Sequence, residues 1–126
     1  LTEPFDNTVA AVVDPTKSKQ RILLCLDSYC SDCGTVRNAI VPLLEDLPGL
    51  RISIVSPTGR PGKKMRDVRV GYFSDDKIMK SLNFGMTPYA VYLEDGIPIR
   101  KGIINNLEQL RLIVDPSQVE LDLKLK

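Results

Sequence analysis

Continuous apolar runs and helix-like periodicities alternate along this chain. Residues 22–26 are all apolar and of strand length, which is typical of a strand buried on both faces, and we place this strand at residues 21–27. Pro48-Gly49 ends the helix that follows, and Pro42 inside it predicts a kink. The apolar positions of that helix repeat with the i, i+3, i+4, i+7 spacing of one buried face: Val36, Ala39, Ile40, Leu43, Leu44 and Leu47.

Further strands are predicted on both sides of this unit. Apolar or alternating segments stand at residues 8–13, 51–56 and 68–72, and Ser74 is placed to cap a short helix that ends near Gly85. Residues 89–93 and 98–104 are strand-like and flank Asp95-Gly96, a dipeptide that strongly favours a hairpin turn.

A last helix is predicted after Asn105 or Asn106, either of which could cap it, with Leu107, Leu110, Ile113 and Val114 on one face. Parallel crossovers followed by an antiparallel hairpin indicate an α/β protein with a central mixed β-sheet and helices on both faces.

We assign residues 1–115 to one domain and residues 116–126 to a tail. From Val119 to Lys126 the tail alternates apolar and charged residues, the pattern of a half-buried strand. It could add an edge strand to the same sheet or pair with another chain, and the sequence does not choose between these.

Composition limits the partners. A net charge of +1 over 126 residues provides no overall field for nucleic acid or membranes, and no run of 18 apolar residues predicts a membrane span. A basic loop is either solvated or a docking surface for an acidic partner or an anionic lipid: Arg60, Lys63, Lys64, Arg66 and Arg69. Because the sequence begins at Leu1 and not at methionine, we expect that an N-terminal signal or anchor has been removed.

The motif Cys30-Ser31-Asp32-Cys33 lies between the apolar strand and the helix. The positive end of the helix dipole favours a thiolate at Cys30, whereas Cys33 is turned into the first helical turn and shielded. Cys30 is therefore predicted to attack a partner disulfide and Cys33 to resolve the mixed disulfide. Asp32 should raise the thiol pKa and favour a reductant. Cys25, inside the strand, is expected to be a buried hydrophobe.

Other uses of the cysteine pair fit less well. Zinc needs four ligands, and this chain has no histidine and a single further cysteine. Copper delivery would also require a histidine ligand. We therefore expect no metal and no cofactor, and two unpaired structural cysteines are the remaining alternative.

The strand, the CxxC pair, Gly85-Met86-Thr87-Pro88-Tyr89 and a final Gly102 together resemble the thioredoxin superfamily. That resemblance implies a thioredoxin-like fold, a cis Thr87-Pro88 bond facing the cysteines, and substrate binding by Tyr29, Met86, Thr87 and Pro88. The stretch from Met86 to Leu110 is similar to the methylamine utilisation protein MauD and its TlpA-like relatives, which are membrane-anchored oxidoreductases facing out of the cytoplasm.

Several positions depart from the thioredoxin pattern. Tyr29 stands in place of tryptophan, and Ser31 and Asp32 replace Gly-Pro, so the redox potential does not carry over. Leu24 takes the place of the buried acid of thioredoxins. Asp27 is either the proton acceptor in its stead or a surface or strand-end aspartate with no catalytic part.

We therefore expect a thiol-disulfide oxidoreductase that acts on protein disulfides or dithiols, exchanges electrons with a redox partner protein, and is held outside the cytoplasm by its missing anchor. A cytoplasmic location is the alternative. The alternative function is a thioredoxin-fold binding module or redox sensor without turnover.

Overall fold

The computed structural model describes residues 19–26, 32–56, 65–73 and 88–116. These contain, in order, β1 (Gln20–Cys25), α1 (Cys33–Asp46), β2 (Leu50–Val55), β3 (Val70–Phe73), β4 (Tyr89–Glu94), β5 (Ile97–Ile103) and α2 (Leu107–Val114). The strand predicted at residues 8–13, the helix predicted after Ser74 and the alternating tail lie outside the described residues. Neither α1 nor α2 has the length and apolar composition needed to cross a membrane.

The five strands form one mixed sheet in the order β3-β2-β1-β4-β5. β1, β2 and β3 are parallel to one another, whereas β4 is antiparallel to both β1 and β5. This confirms the mixed sheet and the α/β class expected from the sequence. β1 is central because its apolar residues can be buried on both faces: Ile22, Leu23, Leu24 and Cys25 all have no exposed surface.

Both described helices pack on one face of the sheet. Alternate residues of β1, including Ile22 and Leu24, join the buried stripes of α1 and α2 in a single apolar cluster. The opposite face is also buried at Leu23 and Leu93. On that face Arg21, although almost fully buried, donates a hydrogen bond of 2.6 Å to the Ser53 hydroxyl.

The hairpin between β4 and β5 has the turn that its sequence predicts. Asp95 and Gly96 adopt positive φ angles of 52° and 80°. Positive φ at both central residues defines the type I′ turn, which matches the twist of the flanking strands.

α2 is fixed at both ends by side chains. The Asn106 side chain accepts a hydrogen bond of 2.9 Å from the Gln109 backbone N–H, and the Gln109 side chain accepts one from the Asn105 N–H. At the other end Arg100 donates to the carbonyls of Ile113 and Val114. Asn106, rather than Asn105, is therefore the N-cap.

A second group of polar contacts lies near the opposite edge of the sheet. Arg69 pairs with Asp67 at 2.7 Å and donates to the Leu44 carbonyl in α1. Hydrogen bonding by the Arg69 side chain lowers the pKa of Asp67 to about 2. Arg69 is thus committed to a structural contact rather than to docking. Arg66 is exposed, and the other basic residues of the predicted loop lie outside the described residues.

Candidate redox site

Cys33 is the first residue of α1 and is fully buried. Its side chain belongs to the apolar cluster that also contains Leu24 and Leu26 at the end of β1. It is disulfide-bonded. The sulfur therefore lies where a helix start meets the carboxyl end of the central strand, a place where backbone N–H groups favour a negative charge.

Pro88 lies at the same edge of the sheet, the one formed by the carboxyl end of β1. In the antiparallel register Cys25 pairs with Tyr89, so that the next positions along the two strands are Leu26 and Pro88. Pro88 is buried, and its carbonyl accepts a hydrogen bond of 3.3 Å from the Ile104 N–H. The strand pairing thus brings the residue before β4 to the end of β1 from which the chain continues toward Cys33.

Asp32 immediately precedes α1. Its φ and ψ of −90° and −11° are helical, and its carbonyl accepts a 3.2 Å hydrogen bond from the Val36 N–H. Its side chain makes no capping hydrogen bond, although aspartate is one of the preferred capping residues. Asp32 is exposed, so its carboxylate faces solvent beside Cys33.

Six of the predicted site residues lie outside the described residues, and their roles stay predictions: Asp27, Tyr29, Cys30, Ser31, Met86 and Thr87. The expectations for two β1 residues can be compared with the structure. Cys25 carries a buried thiol, as expected from its apolar strand. Leu24 is fully buried on the same face as Cys33, and it offers no group to accept a proton.

Ser56 is a polar residue at this edge that the sequence analysis missed. It follows β2, is 3% exposed, and its backbone N–H donates to the Phe73 carbonyl. Within the described part of the chain its hydroxyl has no hydrogen-bond partner. The sequence does show a serine directly after an apolar strand, but a serine at such a position usually indicates the start of a loop.

The described residues contain no group of three or more histidine, cysteine, aspartate or glutamate side chains that could hold a metal ion. The disulfide-bonded Cys33 and the carboxylate of Asp32 lie next to each other at this edge. The chemistry that such a site supports is thiol-disulfide exchange, because a sulfur–sulfur bond at a helix start can be opened and closed by another thiolate.

Comparisons with known proteins support the fold. No family model and no curated protein matches this chain. Among solved structures, thioredoxin from Fasciola hepatica matches with a TM-score of 0.62 and 13% identity, covering 82% of this chain and 85% of that one. Thioredoxin O2 from Arabidopsis thaliana, in its oxidized state, matches with a TM-score of 0.62 and 13% identity, covering 87% of this chain and 84% of that one. A thioredoxin-like protein from Aeropyrum pernix matches with a TM-score of 0.62 and 14% identity, covering 82% of this chain and 81% of that one. The chain therefore has a thioredoxin-like fold.

Proposed function

We propose that this protein is a thiol-disulfide oxidoreductase that exchanges electrons with protein disulfides through Cys30 and Cys33. The observation that carries this proposal is the disulfide-bonded Cys33 at the first residue of α1, at the sheet edge that also holds Pro88. Cys30 is the proposed partner of Cys33, because the chain contains three cysteines and Cys25 carries a thiol.

The proposed cycle has two exchange steps. In the first, the Cys30 thiolate attacks one sulfur of the partner disulfide; the partner's S–S bond breaks, its other sulfur leaves as a thiolate, and a mixed disulfide forms. In the second, the Cys33 thiolate attacks the Cys30 sulfur, releases the partner as a dithiol and closes the Cys30–Cys33 bond. Two electrons pass to the partner. A dithiol protein then returns the site to its reduced form by the same steps.

Proton transfer and substrate contacts are assigned to neighbouring residues. Cys33 must lose its proton before it attacks, and buried Leu24 cannot accept it, so Asp27 takes this role in the proposal. The partner peptide is bound along Tyr29, Met86, Thr87 and Pro88. The proposed location is outside the cytoplasm on a membrane anchor, by analogy with the MauD and TlpA-like proteins that the sequence of residues 86–110 resembles, and the cytoplasm is the alternative location.

The direction of transfer is proposed from Asp32. A carboxylate beside the pair disfavours a thiolate and so stabilises the disulfide relative to the open pair. We therefore expect a reductant, with a potential closer to the value of about −270 mV for thioredoxin than to the value of about −120 mV for DsbA. Titration against glutathione, followed by alkylation and mass spectrometry, measures it. A potential near the DsbA value would contradict the assigned direction but not the exchange chemistry.

Turnover tests the proposal directly. Reduced wild-type protein should catalyse the reduction of insulin or of a model disulfide peptide, whereas Cys30→Ser should lose this activity by at least about 100-fold. Cys33→Ser should accumulate a mixed disulfide through Cys30, seen as a mass adduct on non-reducing electrophoresis.

Cys25→Ala is the matched control, because it removes a cysteine from β1 rather than from the proposed pair. It should keep turnover within about twofold once folding is verified by circular dichroism. Wild-type protein that is inert toward all disulfides, yet binds a partner tightly, would refute the enzyme and favour the binding module or redox sensor.

A further inference from the structure

Within the described residues, the Asp32 carboxylate has neither a capping hydrogen bond nor an ion pair. An aspartate before a helix normally accepts a hydrogen bond from one of the first backbone N–H groups, with its own backbone extended. Asp32 has helical dihedral angles instead and makes no such bond. The ion pairs Arg69–Asp67 and Arg111–Asp46 involve other carboxylates. The Asp32 carboxylate is therefore left in solvent next to the disulfide-bonded Cys33.

This charge opposes the positive end of the helix dipole beside Cys33. The start of a helix carries the equivalent of about half a positive charge, whereas an ionised carboxylate carries a full negative one. The first turn of α1 contains no other acidic residue that would spread the charge. A partner group that approaches the cysteine pair on the side of Asp32 therefore comes close to a full negative charge.

We propose that Asp32 is a specificity-determining residue, which makes the site prefer partner disulfides flanked by lysine or arginine over those flanked by aspartate or glutamate. The inference rests on the proposed function. Exchange requires two sulfurs to come within bonding distance, which carries the residues beside the partner's cysteine within several ångströms of Asp32. At such a distance a unit charge near the protein surface changes an encounter by a few-fold, in opposite directions for the two signs.

The test compares three peptides that share one disulfide and one length and differ in having lysine, glutamine or glutamate beside the cysteines. We expect wild-type protein to reduce the lysine peptide with a kcat/KM about tenfold higher than that for the glutamate peptide, with the glutamine peptide between them. Asp32→Asn should bring this ratio to about two or less. The ratio between peptides is the readout, because a change in redox potential would alter the rates for all three peptides together.

Glu45→Gln is the matched control. Glu45 is exposed on the same helix, 13 positions beyond Asp32, which is about 20 Å along the axis. Screening at 0.1 M salt acts over about 10 Å, so this variant should keep the wild-type ratio. Raising the salt to about 1 M should compress the wild-type ratio for the same reason.

The outcomes separate the two proposals. A wild-type ratio near one with all three peptides reduced would overturn the role of Asp32 and leave the oxidoreductase in place. A tenfold ratio that persists in Asp32→Asn would also overturn it, because another group would then select the charge. If none of the peptides is reduced, the proposed function fails and the preference fails with it.

Discussion

Ser53 in β2 and Ser56 directly after it are both buried, but their hydroxyl groups differ in hydrogen bonding. The Ser53 hydroxyl accepts a hydrogen bond from the Arg21 guanidinium in the interior. The Ser56 hydroxyl is buried without a partner among the described residues. A hydrogen bond to a charged group is worth more than one between neutral groups, whereas an unpaired buried hydroxyl costs stability.

Replacing each serine by alanine should therefore change stability in opposite directions. Ser53→Ala should lower the free energy of unfolding by about 2 kcal/mol, because it leaves the buried Arg21 without this acceptor. Ser56→Ala should raise it by about 0.5 kcal/mol, because the Ser56 hydroxyl has no hydrogen-bond partner among the described residues. Urea unfolding at pH 7 measures both, and each variant serves as the control for the other. Equal destabilisation by the two substitutions would contradict this account.

At this scale the sequence predicts chemistry better than contacts. Cys33 could be singled out because a CxxC spacing has local meaning, and Pro88 because the segment around it resembles the thioredoxin superfamily. The pairing of Arg21 with Ser53 could not be found, because it joins positions 32 residues apart and depends on strand register. A buried arginine in an apolar strand gives no sign of which side chain receives it.

Among the elements, α2 shows how a short helix of 8 residues is held in place. Its first turn is closed by a reciprocal pair of contacts, since the Asn106 side chain receives the Gln109 N–H and the Gln109 side chain receives the Asn105 N–H. A helix of this length is marginal without tertiary contacts and caps. Its buried face supplies the tertiary contacts through Leu110, Ile113 and Val114.

The two neighbouring asparagines should therefore differ in effect. Asn106→Ala should lower the free energy of unfolding by about 1 kcal/mol, because it removes the side-chain cap. Asn105→Ala should change it by less than about 0.5 kcal/mol, because Asn105 contributes its backbone N–H and not its exposed side chain. Thermal unfolding followed by circular dichroism compares the two. A larger loss for Asn105→Ala would show that the cap has been assigned to the wrong residue.

Element types followed from the sequence because each carries its own period. The continuous run of β1, the 3.6-residue spacing of α1 and the Asp95-Gly96 turn each predict one structure. The ends were less well determined: β1 spans Gln20–Cys25, one residue earlier at its start than predicted and two residues earlier at its end. Hydrogen bonding with neighbouring strands sets such ends, and a single strand's composition does not encode its neighbours.

For the whole molecule, the contacts of Arg69 link two layers. Asp67 and Arg69 lie just before β3, and Arg69 also reaches the Leu44 carbonyl in the last turns of α1. The edge strand of the sheet is thereby attached to the helix that begins at Cys33. Loss of the Asp67–Arg69 ion pair should therefore lower the free energy of unfolding, and the size of this loss should depend on pH.

The direction of this pH dependence follows from the lowered pKa of Asp67, which is about 2 in the folded protein against an ordinary value of 3.8. The folded state binds fewer protons than the unfolded state between these values, so the stabilisation is complete above about pH 4 and is lost as the pH falls to 2. Asp67→Asn should be less stable than wild type at pH 7, and the difference should vanish near pH 2.

Urea unfolding at pH 7, 4, 3 and 2 provides the measurement. Arg69→Met should reproduce the same pH dependence, because it removes the other partner of the pair, and the double variant should add nothing to it. A difference between Asp67→Asn and wild type that stays constant down to pH 2 would refute the pairing as its cause.

The overall architecture could be predicted only in part. Parallel strands joined by a helix and then an antiparallel hairpin indicate a mixed sheet. The structure shows that β3 pairs in parallel with β2 at the sheet edge and that α1 and α2 pack on one face of the sheet. Both features depend on long-range packing, which the local periodicity of the sequence does not encode. The same holds at the candidate site: the CxxC motif drew attention to Cys33, whereas no local pattern indicated that Ser56 is buried there.

Pro42 divides α1 into two lengths with different attachments. It has no N–H to give to the carbonyl of Asn38, so the ladder of hydrogen bonds is interrupted there, on the solvent side of the helix. Beyond it, Leu44 is bound by Arg69 and Asp46 by Arg111. Opening fluctuations of the first turns of α1 can therefore stop at Pro42 while the far turns keep their contacts.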